Sequence, residues 1–268
     1  MTDIINRKIF VINMYASRES WLNISFKLDA LNLPYERIEG IDASRLSPEE
    51  LSKHYSYLKN KKLFPRPLLV GEIGCHISHI NCWLEIVRQN LDFGVVLEDG
   101  AILSGKFPSA IRFLQEHPFE WDFIRLQPET KNRILYSQKK FLEFSFNEYV
   151  RTSGASLAYA VNINTARKLS CELLPFGCTA DSNSHLCYKY GINVLTIIPP
   201  VVFPWNTATE RAFDSKTKIK NHYPFSRQIF QLKSYTGKLL QLLRRDGIKT
   251  FSRRLINVKI CKAEEWKS

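Results

Sequence analysis

Neither of the two commonest phosphate-binding glycine motifs occurs in this chain. GxxxxGK[ST] and GxGxxG are both absent from its 268 residues, which excludes a P-loop and a dinucleotide fingerprint. GxSxG is missing too, and with it the serine elbow of a hydrolase. No apolar run approaches the ~20 residues that cross a bilayer. Met1 to Lys8 leads straight into Ile9-Phe10-Val11-Ile12, with no basic region ahead of a long apolar stretch. No secretory leader is read there, and a cytoplasmic location is expected. None of the six cysteines forms a CxxC pair. Cys75 and Cys82 are seven apart, as are Cys171 and Cys178, which is not zinc-knuckle spacing. Reduced, buried thiols are the expectation. Internal repeats and low-complexity tracts are also lacking.

What is present describes a globular protein. Hydrophobic residues make up 44% of the chain, enough for one sizeable core. The formal charge is +12, and from Arg227 to Ser268 eleven Lys/Arg face three acids, a net +8. The basic character therefore belongs to the C-terminal segment. Ile229, Leu232, Leu239 and Leu242 mix with those cations there, with Gly237 and Gly247 as interruptions. One or two short basic amphipathic helices are predicted, suited to an anionic membrane surface. With no recognition motif and little aromatic interleaving, nucleic-acid binding is ranked last. The domain division read is 1–225 for the body and 226–268 for the tail.

Along the body, Lys8–Met14 reads as a strand. Ser17 is a candidate N-cap for a helix carrying Trp21, Ile24, Leu28 and Leu31 at helical spacing. Tyr35–Glu39 alternates as a second strand, and this β-α-β opening implies a parallel sheet. Residues 47–67 read as a short helix plus exposed loop, and Cys75–Arg88 as a helix with an apolar stripe. Gly94–Leu97, Trp121–Leu126, Ala158–Val161 and Val194–Ile198 read as strands. Phe107–Glu116, Thr165–Leu174 and Asp181–Tyr190 read as helices, and 129–150 as irregular or hairpin-like.

The most informative feature is Glu98-Asp99 at the end of the apolar run Gly94-Val95-Val96-Leu97. A buried strand ending in two acids presents charge to the crevice of an open α/β sheet, and carboxylates suit a hard divalent cation. Two solvated acids at a strand end are the plain alternative. Gly71-Glu72-Ile73-Gly74 reads as a loop feeding a helix whose start, with Ser78 and His79, can hold an anion. His76 reads as a surface or partly buried helix residue. Asp181 reads either as an N-cap or as a general base. Ser153-Gly154-Ala155-Ser156 permits close backbone approach to a ligand or forms a plain turn.

Taken in order, Val11-Ile12-Asn13-Met14 with Arg18, Gly40-Ile41-Asp42, Gly71 through His79 with Trp83, and Val96-Leu97-Glu98-Asp99 resemble glycosyltransferase family 25. These are the bacterial lipooligosaccharide galactosyltransferases and their collagen-modifying relatives. The likeness continues through Phe123-Ile124-Arg125-Leu126, Gly154 with Tyr159, and Asp181. It implies a GT-A-like α/β fold, Rossmann-like with a mostly parallel sheet flanked by helices, followed here by the basic helical tail. It also implies inverting transfer from UDP-galactose or a related UDP-sugar, with Mn²⁺ or Mg²⁺, onto a lipooligosaccharide or LPS acceptor. A peripheral place on the cytoplasmic face of the inner membrane goes with that acceptor. Carried over, Asn13, Arg18 and Asp42 line the nucleotide pocket, with Arg125 and Gly154 beside the donor. Ser78 and His79 lie near the donor, Glu98 and Asp99 hold the metal, and Asp181 faces the acceptor. The family's Glu-Asp-Asp is Glu98-Asp99-Gly100 here, which raises a catalytically impaired relative as the alternative. His222 is a weak candidate for a further metal ligand.

Overall fold

The computed structural model describes residues 6–117, 121–152, 156–185, 187–205, 226–256 and 259–261. The opening strand β1 (Arg7–Asn13), helix α1 (Arg18–Ala30) and strand β2 (Tyr35–Glu39) form the expected β-α-β unit, with β1 and β2 parallel. Two short helices follow, α2 (Pro48–His54) and α3 (Tyr57–Leu63). Each starts on a serine whose hydroxyl accepts a backbone N–H, Ser47 from Glu50 and Ser56 from Lys59. The expected exposed loop is therefore mostly helical, because each serine supplies an N-cap.

Helix α4 (Val70–Arg88) is longer than the spacing predicts. Residues 71–74 form its first turn rather than a loop ahead of it. The Glu72 carboxylate reaches back to the Leu69 N–H at 2.8 Å and is held by Arg66 at 2.6 Å. Next come β3 (Phe93–Glu98), β4 (Ala101–Leu103), α5 (Phe107–Glu116) and β5 (Phe123–Arg125). The hairpin of β6 (Arg133–Phe141) and β7 (Phe144–Tyr149) occupies the stretch read as hairpin-like. The body closes with β8 (Ala158–Asn162), α6 (Ile163–Glu172), β9 (Val194–Ile198) and β10 (Val202–Pro204). Between α6 and β9 the expected helix from Asp181 is instead two 3₁₀ turns, Ala180–His185 and Cys187–Tyr190.

The nine-stranded sheet includes β11 (Lys259–Cys261) and has the order β11-β6-β7-β9-β5-β8-β3-β1-β2. Strands β1, β2, β3, β5, β6 and β9 share one direction, and β7, β8 and β11 run against them. Alternation sorts the core into two layers. Ile9, Val11, Val95 and Leu97 face α1 and α5, packing with Ile24, Leu28 and Phe107. Phe10 and Val96 face α4 and α6, packing with Ile77, Ile80, Trp83 and Leu169. This is the α/β sandwich expected from the buried strands, with helices on both faces.

The basic segment is docked on this body. Helix α7 (Ser226–Ile256) is broken at Gly247, whose φ of 71° lies in the left-handed region open to glycine. Phe230, Ser234 and Leu242 are buried. Lys238 and Arg245 converge on the buried Glu148 of β7 at 2.9 and 2.8 Å. Just before the break, Asp246 accepts from Arg254, which lies beyond it, at 2.5 Å and from the Tyr136 hydroxyl at 2.7 Å. Among the described residues no helix is long and apolar enough to cross a membrane.

These pairs make the docking acid-sensitive. Arg245, then Tyr136 and Arg254, outweigh burial and hold Asp246 at about 2. A depressed folded-state value means that the stabilisation is fully present above the unfolded value near 4 and is lost as pH falls through about 2. With solvent screening counted, the contribution is at most about 2 kcal/mol. Thermal midpoints measured from pH 5 down to pH 2.5 are expected to drop, and Asp246→Asn is expected to flatten that drop. An equally steep drop in the variant would refute the assignment.

Candidate active site

Because β1, β2 and β3 are parallel, their C-terminal ends meet at one rim of the sheet. There Asn13 ends β1, Gly40-Ile41-Asp42 follows β2, and Glu98-Asp99 ends β3. A cavity of about 320 Å³ opens at this rim, lined by Asp42, Gly71, Cys75, Ser78, Glu98 and Asp99 among others. That volume suits a small ligand. Asn13 Nδ2 bridges the Asp99 carboxylate at 2.5 Å and the Ser17 carbonyl at 3.0 Å. Ser17 thus serves this site through its backbone, and its side chain makes no cap hydrogen bond to α1. Arg37 donates to Asn13 Oδ1 and lies 4.3 Å over the Tyr15 ring and 4.6 Å over Trp21. Nothing in the local pattern of β2 marks Arg37 as a site residue, because its partners come from β1 and α1.

Ser78 lies mid-helix and buried, so it does not belong to a helix N-terminus as the sequence spacing suggests. Its hydroxyl donates to the Gly74 carbonyl at 2.8 Å and accepts the Ile41 N–H at 2.9 Å. Ser78 therefore ties the loop after β2 to α4. Asp42 caps the turn that follows, accepting from the Ser44 N–H at 3.0 Å, and Ser44 holds its carboxyl below the usual range. Arg18 opens α1 on the exposed surface. Gly154 and His222 lie outside the described residues.

A buried network runs inward from Glu98. His79 Nε2 is 3.2 Å from Glu98 Oε1, and His79 Nδ1 is 2.9 Å from the Tyr159 hydroxyl. Tyr159 also accepts Trp83 Nε1–H at 3.0 Å. Burial alone disfavours a charged imidazole, yet Cys75 and Glu98 outweigh it and raise His79 to about 10. Burial likewise pushes Glu98 up, but His79 and Ser156 bring it below the usual range. Ser156 Oγ bridges Glu98 at 2.6 Å and Asp181 Oδ1 at 2.9 Å. A second pocket beside the cavity is lined by His79, Trp83, Arg125, Ser156, Tyr159 and Asp181. Burial, then the charge of Glu98, raises Asp181, with Ser156, His79 and Arg125 opposing. Arg125 is fully buried, 3.7 Å from Glu129. His76, read as a helix residue near the surface, is instead fully buried, stacked 3.8 Å from Phe176. Its Nδ1 sits 2.9 Å from the Cys178 carbonyl, and burial drives it down to about 3.

Glu98 and Asp99 form an adjoining carboxylate pair at the cavity wall, and their mutual repulsion shows in Asp99. Burial first, and then Glu98, raises its pKa against the Asn13 hydrogen bond. A hard divalent cation between the two acids would relieve that repulsion, so the residues fit such an ion. Phosphate and water oxygens would complete its shell. At Gly100 an added Cβ meets nothing within 4 Å, so an acid there has room.

Residues 6–180 match the family described as "Glycosyltransferase family 25 (LPS biosynthesis protein)". Procollagen galactosyltransferase 2 of Mus musculus is 23% identical over 179 residues, covering 60% of this chain and 27% of that protein. A Glycosyltransferase 25 family member of Anopheles gambiae is 27% identical over 178 residues, covering 61% and 28%. The aligned part thus spans little more than a quarter of these relatives. Among solved structures, mannose-1-phosphate geranyltransferase from Thermus thermophilus overlays 72% of this chain and 74% of its own at TM-score 0.40 and 11% identity. With the match running from the first strand through the Asp181 neighbourhood, the chain belongs to glycosyltransferase family 25.

Proposed function

We propose that this protein is an inverting glycosyltransferase that moves a hexose, galactose from UDP-galactose in the first instance, onto a lipooligosaccharide or LPS acceptor. The observation that carries the reading is the pairing of the acidic cavity rim with Asp181 across a single serine hydroxyl. The donor sugar is suggested by relatives named as galactosyltransferases, and the acceptor by the family's description. In this reading Asp42, Glu98 and Asp99 bound the donor cavity, and the buried Asn13, which does not line it, holds Asp99 from behind. Asp181 takes the proton of the acceptor hydroxyl as that oxygen bonds to the anomeric carbon, and the bond to the diphosphate breaks toward the leaving UDP. Burial and a neighbouring acid keep Asp181 more basic than a free aspartate, as a base requires. Glu98 and Asp99 would hold Mn²⁺ or Mg²⁺, which supplies charge stabilisation to the leaving diphosphate. Ser156 and His79 keep Glu98 ionised and oriented.

The loss of the last acid at Gly100 favours a second reading, a catalytically impaired member of the same fold. Metal-dependent hydrolysis of a UDP-sugar panel, wild type beside Gly100→Asp, separates the two. Turnover in the wild type supports the transferase and names its donor. Silence in the wild type with activity in Gly100→Asp supports the impaired reading.

We also propose that the protein works at the cytoplasmic face of the inner membrane. On α7, Leu232, Ile248 and Ile256 are exposed beside Lys233, Arg244 and Lys249. Each such cation contributes about 1 kcal/mol near an anionic leaflet. Binding to anionic liposomes at low salt is expected to fall when Lys233, Arg244 and Lys249 are changed together to Gln. Equal binding by that variant would remove α7 from the membrane role.

A further inference from the structure

Cys75 and His79 are four residues apart on α4 and so share one helix face. Glu98 reaches the same point from the tip of β3. A sulfur, an imidazole nitrogen and a carboxylate oxygen from these three residues lie within 4.8 Å of one another. One edge, His79 Nε2 to Glu98 Oε1, measures 3.2 Å. A tetrahedron with zinc–nitrogen and zinc–oxygen bonds of about 2.0–2.1 Å has an edge of about 3.3 Å.

The surroundings are built for ligation. Tyr159, itself fixed by Trp83, holds His79 Nδ1 and leaves Nε2 facing Glu98. Ser156 fixes Glu98 from the other side. Ligating histidines are oriented in this way through their second nitrogen. Cys75 and Glu98 both line the donor cavity, so the fourth position opens onto it. Three protein ligands with one open position is the pattern of an accessible zinc site.

We propose that Cys75, His79 and Glu98 form a site for a soft divalent cation, zinc. The thiolate is the selective element, since a carboxylate pair alone suits the harder ions. Binding displaces the thiol proton of Cys75 and the proton on His79 Nε2 into solvent, and no redox change occurs. Because the site takes Glu98 from the Glu98–Asp99 pair, zinc silences sugar transfer. That consequence rests on the proposed function, whereas zinc binding itself does not.

The test uses the full-length protein with cobalt(II) alone, then zinc alone. One cobalt per chain is expected, with a thiolate-to-metal charge-transfer band that zinc abolishes on displacement. Cys75→Ser is expected to remove the band and weaken zinc binding more than about tenfold, the least that losing even an outer-shell partner costs. Cys171→Ser and Cys261→Ser, at the other accessible thiols, should keep both. No band in the wild type, or a band that survives Cys75→Ser, overturns the site. Zinc should also suppress metal-dependent UDP-sugar hydrolysis in the wild type by a larger factor than in Cys75→Ser. Equal suppression in the two proteins overturns the competition. A Cys75-dependent band in a protein inactive under every condition, Gly100→Asp included, keeps the site and defeats the transferase reading instead.

Discussion

Asp181→Asn is expected to lower sugar transfer by about 10²- to 10⁴-fold, the usual worth of a general base, while UDP-sugar binding survives. The separation follows from geometry. Asp181 meets Glu98 across the Ser156 hydroxyl, and it lines the neighbouring pocket, while the donor cavity is lined by Asp42, Glu98 and Asp99. The amide keeps the shape and can still bond to Ser156, so folding should hold. Transfer rates and donor affinity measured on the same preparation decide the matter. Near-normal turnover in the variant would remove Asp181 from the chemistry. A loss of donor affinity equal to the loss of rate would move it to the donor side.

Gly74→Ala is expected to carry the largest stability cost of any single methyl group near the cavity. A Cβ at Gly74 would stand 2.0 Å from the Ile41 carbonyl oxygen, so helix and loop would have to part. The same loop is tied to the same helix through Ser78. Overpacking of this kind costs about 1–3 kcal/mol, which in a chain of this size lowers the thermal midpoint by roughly 2–4 °C per kcal/mol. Donor affinity should fall with it, because Asp42 rides on the displaced loop. Gly71→Ala, three residues earlier, meets nothing within 4 Å. It should be neutral or gain up to about 1 kcal/mol from helix propensity. Equal melting of the two variants would contradict the close approach.

The gathering of Asn13, Asp42, Glu98 and Asp99 at one rim was legible in the sequence because these residues sit at or just past the ends of strongly patterned strands. The apolar run before Glu98 and the alternation of Tyr35–Glu39 both state where a strand stops, and a parallel sheet then gathers those ends. The inner network was not legible. His79 and Tyr159 are 80 positions apart, and Ser156 shows only as a turn residue. Direction is equally invisible in a local pattern, and β8 reads the same whether it runs with β3 or against it. The segment from Asp181 misled for a different reason. Thr179 and Ser182 bond to each other at 3.0 Å, and the Ser182 N–H turns back to the Thr179 carbonyl at 2.9 Å. Short polar side chains of this kind compete with α-helix and leave tight turns. For the basic segment, composition located the charge and the amphipathic helix. It gave no sign that Lys238, Arg245 and Arg254 turn inward to Glu148 and Asp246.

The reversed direction of β8 brings a later stretch of chain to the rim by its leading end. Strands β1, β2 and β3 deliver their trailing ends to the rim, whereas β8 delivers its leading end, just after Ser156. Among the described residues, those bounding the larger cavity run from Ile12 to Asp99, while Arg125, Ser156 and Asp181 come later in the chain. Substitutions in the later stretch can recast the pocket around Asp181, and of the residues named there Ser156 is the one that also holds the opposite wall, through Glu98. Under the proposed transferase reading, changes confined to that later stretch would alter the acceptor side before the donor side.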